Sequence, residues 1–457
     1  MLKRLLVLAV LLTCALPRAQ AAEKPRAKTE RKTPSAPNIT PAGSSATDSS
    51  SPSVEIIPPR DIPQDVAAPP EETPRIVRWM IRPRKRGLMI RLPIMDTDPN
   101  RGITFGIMPI WVIQGKNDDR IEQIHAPSLT LNKNFKLVPT YRFYYYPKTD
   151  STLILRASYS KFEREAIGQY EDASFLGREV DVFIRTQYNV DAGQRFYGLG
   201  PTSPKTAEAN YREEYLTYRI GGGIPLVPGS RWRAHLYNHL QSGKLSNGPL
   251  TGLRDFAGTY PGEAPTRFQQ TDETRLVLDY DSRDHGVTTT KGALLQIFGE
   301  TSVRGLASSY DYNRYGLDAR YFHPWAGTKQ VSAFNFRYEQ LLNDAPFWLK
   351  PRLGGKYSLR SYGDGRYVDR GMAAANAEQR FTLFSEKMAG VTTEFELAPF
   401  AGVGEVFDNP GLAQSKHLRT VFGAGVRAVA RPQVVGSIDF GVGREGLAVF
   451  MDINYSF

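Results

Sequence analysis

From about residue 100 to Phe457 the sequence repeats with a period of two. In VDVFIRTQYNV (180–190), Val180, Val182, Ile184, Tyr188 and Val190 share one side, and Asp181, Arg185, Gln187 and Asn189 the other. In AFNFRYEQ (333–340), Phe334, Phe336 and Tyr338 oppose Asn335, Arg337 and Glu339; in GLDARYF (316–322), Leu317, Ala319 and Tyr321 oppose Asp318 and Arg320. Successive strand side chains point to opposite faces, so strict alternation specifies antiparallel strands with one apolar and one polar face. A soluble sandwich would bury the apolar faces against each other in domains of about 100 residues. Here the pattern continues without a domain break, and its polar faces hold too many Arg, Asp, Glu and Gln for a packed interior. A single closed sheet with lipid outside and water inside satisfies both facts. It also accounts for the mean hydropathy of −0.39, since lumen residues dilute every strand.

Candidate strands fall near 102–114, 127–133, 135–146, 151–162, 176–188, 213–224, 230–242, 273–280, 290–303, 309–322, 327–342, 372–384, 391–407, 417–431, 434–442 and 448–457. The expected fold is therefore an all-β transmembrane antiparallel barrel of about 16 strands, an even number as bacterial barrels require. The intervals 243–272 and 343–371 are too long for tight turns and are expected at the outward end, one of them folding inward. In the last strand, LAVFMDINYSF, Leu447, Val449, Met451, Ile453, Tyr455 and Phe457 share one face. Aromatic residues in FYYYP (143–147), Trp111, Trp232 and Trp325 lie near strand ends, where interfacial girdles form.

The N-terminus has a different character. Lys3 and Arg4, the apolar run Leu5–Leu12 and the small-x-small site Ala19-Gln20-Ala21 form a secretory leader over 1–21. Cleavage there removes the only cysteine, Cys14, and lowers the formal charge from +11 by the three cations Lys3, Arg4 and Arg18 to +8. Residues 22–75 hold eleven prolines in 54 residues and no apolar periodicity, the composition of a disordered periplasmic linker. Residues 76–457 are assigned to the barrel, whose first stretch overlaps a basic run, RIVRWMIRPRKRGLMIR (75–91), with seven Arg or Lys and no acid. Two readings stand for that run: a solvated collar, or a contact with anionic lipid. Residues 22–91 are also the candidate contact for a periplasmic partner. Export removes nucleic acid as a partner.

The segment GGKYSLRSYGDGRYVDR (354–370) is too glycine-rich for a helix and does not alternate as a strand. Its YSLRSY resembles the lumen-loop motif, (V/L)-R-G-(F/Y), of the BamA/TamA outer-membrane assembly superfamily, also called the bacterial surface antigen family. Leu359, Arg360 and Tyr362 match, and Ser361 replaces the glycine. LDYDSRDHGVTTTKG (278–292) is similar to the family's strand-turn, matching at Tyr280, Asp281, Arg283, Asp284 and Gly292 and lacking its proline. NAEQRF (376–381) resembles the strand after the loop, with Glu378 at the family's carboxylate; RFYGLG (195–200) and the glycine-rich final strands also fit. A terminal aromatic strand with Tyr455 and Phe457 resembles the barrel signal read by outer-membrane assembly machinery.

The resemblance implies an integral outer-membrane barrel that inserts or translocates proteins or lipid, gated by the inward loop. It further implies that Arg360 faces carboxylates on the wall. The family aspartate that follows Glu378 by one strand is Gly402 here, so Arg360 is expected to pair with Glu378, with Glu396 as the substitute. A guanidinium fork can fix a loop against a carboxylate where a lysine cannot; the alternative leaves Arg360 in solvent. The family's POTRA repeats have no counterpart in 22–75, which is too short and too proline-rich for one. Pro109 lies in the first expected strand, where a missing ladder donor is either a weak point in the closing seam or a harmless bulge. The competing reading is a passive pore that keeps the fold alone. No G-x-S-x-G elbow or H-E-x-x-H occurs, and His235 with His239 lacks a third ligand. No catalytic, cofactor or metal site is therefore assigned.

Overall fold

The structure, a computed structural model, describes residues 81–115, 121–148, 150–264, 268–325, 329–388, 391–430, 434–452 and 455–457. The expected leader and linker lie outside the described residues. Strands run in chain order as β1 Ile81–Arg84, β2 Gly87–Asp98, β3 Gly102–Gln114, β4 Ile121–His125, β5 Ser128–Asn132, β6 Lys136–Lys148, β7 Ser151–Tyr159 and β8 Glu163–Asp172. They continue as β9 Asp181–Phe196, β10 Ala209–Pro225, β11 Trp232–Asn247, β12 Arg254–Asp255, β13 Gln269–Asp281, β14 Gly292–Ser302, β15 Tyr312–Trp325 and β16 Gln330–Leu341. After a long loop come β17 Arg352–Leu353, β18 Tyr367–Val368, β19 Gly371–Met388, β20 Val391–Phe407, β21 Arg419–Ala430, β22 Val434–Gly443 and β23 Gly446–Asp452. All but β17 and β18 belong to one sheet.

Neighbours in sequence are neighbours in the sheet, each long strand pairing antiparallel with the next. β4 and β5 lie end to end between β3 and β6 and serve as one strand. Counted so, eighteen strands follow one another from β2 to β23 among the described residues. The two beyond the expected sixteen are β2 and β8. In β8 the outward positions are Arg164, Ala166, Gly168 and Tyr170, which carry almost no apolar signal. In β2 a basic start and Pro93 obscure the alternation.

The sheet is inside-out relative to a soluble protein. Ile107, Leu236 and Phe422 are about 60% exposed, whereas Arg314, Arg427 and Asp439 are 2% exposed or less. Apolar residues on the outside and ion pairs on the inside are what a lipid-facing wall around a polar lumen requires. No described helix is long and apolar enough to cross a membrane; the crossing is made by strands. Loops such as 303–311 and 342–370 gather at one end of the barrel and turns such as 226–231 and 282–291 at the other, here called the long-loop and short-turn ends.

First and last strands meet at Thr97, whose Oγ1 donates to the Val449 carbonyl at 3.2 Å and accepts from the Val449 N–H at 2.9 Å. No paired register joins β2 to β23 among the described residues. Instead β1 folds back in a tight hairpin and pairs with β2 over Gly87–Ile90. Pro109 is therefore not on the seam strand, contrary to the sequence expectation. It sits on β3 opposite Arg91, and the seam strand β2 carries Pro93.

Candidate functional site

The segment 354–370 folds into the lumen. β17 and β18 form a two-stranded stem, Arg352 opposite Val368 and Leu353 opposite Tyr367. Gly354 has φ +126° and a Cβ there would meet the Gly363 carbonyl at 2.1 Å, so the sharp turn into the loop needs glycine. Ser358 Oγ donates to the Gly354 carbonyl at 2.6 Å and accepts its N–H at 2.9 Å, closing the loop on itself. Leu359 and Tyr362 then pack with Leu353, Tyr367, Phe400 and Val421, burying the tip against β20 and β21.

That packing delivers Arg360 to the wall. Its Nη1 donates to Glu378 Oε2 and to Asp439 Oδ2, each at 2.9 Å, and to Ser456 Oγ at 3.2 Å. The guanidinium carbon stands 3.5 Å from the centre of the Phe400 ring, a cation–π contact. Glu378 also accepts from Arg380 Nε at 2.8 Å and from Arg427 Nη2 at 2.7 Å, and Arg427 reaches Asp439 at 3.2 Å. Three guanidiniums thus share two carboxylates, all five groups buried. Strand parity makes this possible. Asn376, Glu378 and Arg380 face inward on β19, while Arg427 and Asp439 stand two residues apart across the β21–β22 ladder.

Asp439 was not singled out in the sequence, although it alternates with Gly441 and Gly443 on the inward face of SIDFGVG. Those glycines are where the loop lies on β22: a Cβ on Gly441 would stand 1.7 Å from the Arg360 carbonyl, and one on Gly443 2.1 Å from Ser361 Oγ. At Gly402 a Cβ would meet Asn376 Oδ1 at 2.5 Å and Val421 Cγ1 at 2.9 Å. Asn376 and Val421 fill the place of the family's aspartate, and Asp439 brings the second carboxylate. Glu396, the expected substitute, instead accepts the Tyr455 hydroxyl at 3.0 and 2.9 Å.

A second loop reaches the same network from the short-turn end. Arg283 folds back on Asp281 with bonds of 3.0 and 2.8 Å, and Tyr280 packs its ring on Trp232. Asp284 accepts from the Thr290 N–H at 2.9 Å and from the Thr290 hydroxyl. Burial alone would raise the Asp284 carboxyl, but these hydrogen bonds outweigh it and hold the group below its ordinary value. Gly292, at φ +105° and with the Ser282 carbonyl 2.3 Å from any Cβ, closes the turn. The closed loop buries Thr288, Thr289 and Thr290, and the Thr289 carbonyl accepts Arg380 Nη1 at 3.2 Å.

Tyr455 and Phe457 are also inside. Among the described residues after β23, 455–457 are not in a strand, although the alternation leads to the expectation of one up to Phe457. Arg380 stacks 3.5 Å over the Tyr455 ring, and Phe457 packs against Phe322, Val331 and Ala333. His235 lies between Asp279 at 2.6 Å and Asp181 at 3.3 Å, and His239 beside Glu273 at 3.1 Å. These histidines stand against carboxylates of the wall, and among the described residues no His, Cys, Asp and Glu cluster has metal-holding geometry.

Residues 148–443 match the Omp85 superfamily domain. The chain belongs to the Omp85 superfamily. It is an outer-membrane β-barrel of that family. Among solved structures it is similar to BamA from Haemophilus ducreyi lacking POTRA domains 1–3, at 14% identity and a TM-score of 0.51, covering 79% of this chain and 74% of that one. It is similar also to CdiB from Escherichia coli, at 11% identity and a TM-score of 0.50, covering 75% of this chain and 66% of that one. At such identities the likeness concerns the fold. This chain spans less than two thirds of the CdiB chain's length. No curated protein sequence matches it.

Proposed function

We propose that this Omp85 barrel inserts or translocates proteins, or lipid, at the outer membrane, and that the lumen loop carrying Arg360 is its gate. The observation that carries the reading is the buried contact of Arg360 with both Glu378 and Asp439, made from the packed tip of the lumen loop. A passive pore has no need of a loop held across its lumen by desolvated ion pairs, since such pairs contribute little net stability over apolar packing. A gate does need them, because removing one partner leaves buried charge and shifts the loop sharply between two states. Single-channel conductance in planar bilayers tests this, with Arg360→Ala and a deletion of 354–370 beside the parent. A nearly closed parent that opens in both variants supports the gate. A parent that is steadily open and indifferent to both changes identifies a passive pore.

A further inference from the structure

The seam holds two chain segments with a claim on one strand edge. On the side of β2 away from β3, Thr97 faces Val449, and the Met95 N–H lies 3.4 Å from Met451 Sδ. Carrying this antiparallel step onward would set Tyr455 opposite Arg91 and Phe457 opposite Met89. That edge is already taken over Gly87–Ile90, where Ile81 pairs with Ile90, Arg82 with Met89 and Arg84 with Gly87, so the places opposite Ile90 and Met89 that Ser456 and Phe457 would need are filled by β1. Strands have two edges only, and β3 fills the other along its whole length. Residues 455–457 are in the lumen instead, with Ser456 Oγ donating to Asp439 at 2.8 Å and Tyr455 on Glu396 and Arg380.

We propose that β1 and the segment 455–457 compete for the edge of β2, and that the Arg360–Glu378–Asp439 network is the storage site for that segment when β1 holds the edge. Both positions suit its chemistry. By the alternation of β23, Tyr455 and Phe457 would face outward at the seam, where the Phe457 ring meets lipid and the hydroxyl-tipped ring of Tyr455 suits the membrane interface. In the lumen the same rings gain a stacked guanidinium and a carboxylate acceptor. The exchange ties the seam to the loop, because Ser456 bonds both Asp439 and Arg360. It does not depend on what, if anything, crosses the barrel.

One cysteine with two alternative partners reads the exchange. In the full chain carrying Cys14→Ser, F322C/F457C reports the stored segment and M89C/F457C the segment at the seam. Because the native Phe322 and Phe457 side chains pack in one cluster, the first pair should be bridged by a short bifunctional thiol reagent and the second should not. Arg82→Pro, which removes a ladder donor from β1, should lower the first yield and raise the second, by about fivefold for the loss of one hydrogen bond's worth of preference. Ser456→Ala should likewise lower the first yield and raise the second by weakening storage, and it reports even where Arg82→Pro does not fold. Heat-modifiable electrophoretic mobility identifies folded barrels. Yields unchanged by the variants that fold, or an M89C/F457C cross-link already complete in the unvaried parent, overturn the proposal.

Discussion

Gly441 lies directly under Arg360: the space for its missing side chain is occupied by the Arg360 carbonyl, 1.7 Å from where a Cβ would stand. The loop therefore rests on bare backbone of β22, and its seat depends on the absence of an atom. Gly441→Ala should lift the tip and separate Arg360 from Asp439 without altering any charge. Limited proteolysis with mass spectrometry should then show new cleavage within 354–370. Gly436→Ala, on the same strand with nothing nearer than 4.0 Å, is the control and should leave the loop protected.

Arg360→Lys separates charge from geometry. The guanidinium reaches Glu378, Asp439 and Ser456 from one nitrogen while its face lies on Phe400. An ammonium on a shorter, non-planar head cannot keep the stack and the paired carboxylates together. Arg360→Lys should behave nearly as Arg360→Ala in loop protection. A lysine variant as well protected as the parent would mean that net charge in the lumen, not the planar head on Phe400, seats the loop.

The period of two was enough to read the barrel, and motif likeness was enough to read Leu359, Arg360, Tyr362 and Glu378 as neighbours of interest. What stayed illegible has specific causes. β8 turns Ala166 and Gly168 outward, so its lipid face is nearly silent. β2 lies in a stretch whose arginines suggest a collar, so local alternation places the seam one strand late, at the strand of Pro109 instead of that of Pro93. Asp439 and Glu396 both have inward parity, and only the register of β20 to β22 tells which of them stands level with the loop tip. The inward turn of Tyr455 and Phe457 sets them against Glu396, Arg380 and Phe322, long-range contacts across the lumen that local alternation does not encode.

Glu378 is the hub of the wall. Arg360, Arg380 and Arg427 all donate to it, from the loop, from its own strand and from β21. Glu378→Gln keeps the shape and removes the charge, leaving three buried guanidiniums with Asp439 as the remaining carboxylate of the pair. Breaking a dry pair in this way costs about 3–5 kcal/mol, and less where lumen water reaches the gap. The folded barrel should convert to its unfolded electrophoretic form at a lower temperature, and Arg427→Gln added to Glu378→Gln should restore part of the loss. If the double variant were no more stable than the single, the arginines would not be strained by the missing charge.

Asp284 gives the short-turn loop a defined response to acid. Its carboxyl lies below the ordinary value of 3.8 because Thr290 donates to it through backbone and side chain despite the burial that would raise it. A group depressed by folding adds stability that is complete above its unfolded value and lost as pH falls through its folded value. Protection of 282–291 should therefore be constant from neutral pH down to about pH 4 and decline below it. Asp284→Asn should abolish that decline while weakening the loop at neutral pH, since an amide accepts less strongly than a carboxylate. Because the Thr289 carbonyl holds Arg380, the same variant should also loosen the Arg380 side of the network. Amide hydrogen exchange across 282–291, corrected for intrinsic rates and followed with pH in parent and variant, reads both effects. A parent whose exchange is flat through pH 3 would show that the turn is held by Gly292 and the buried threonines alone.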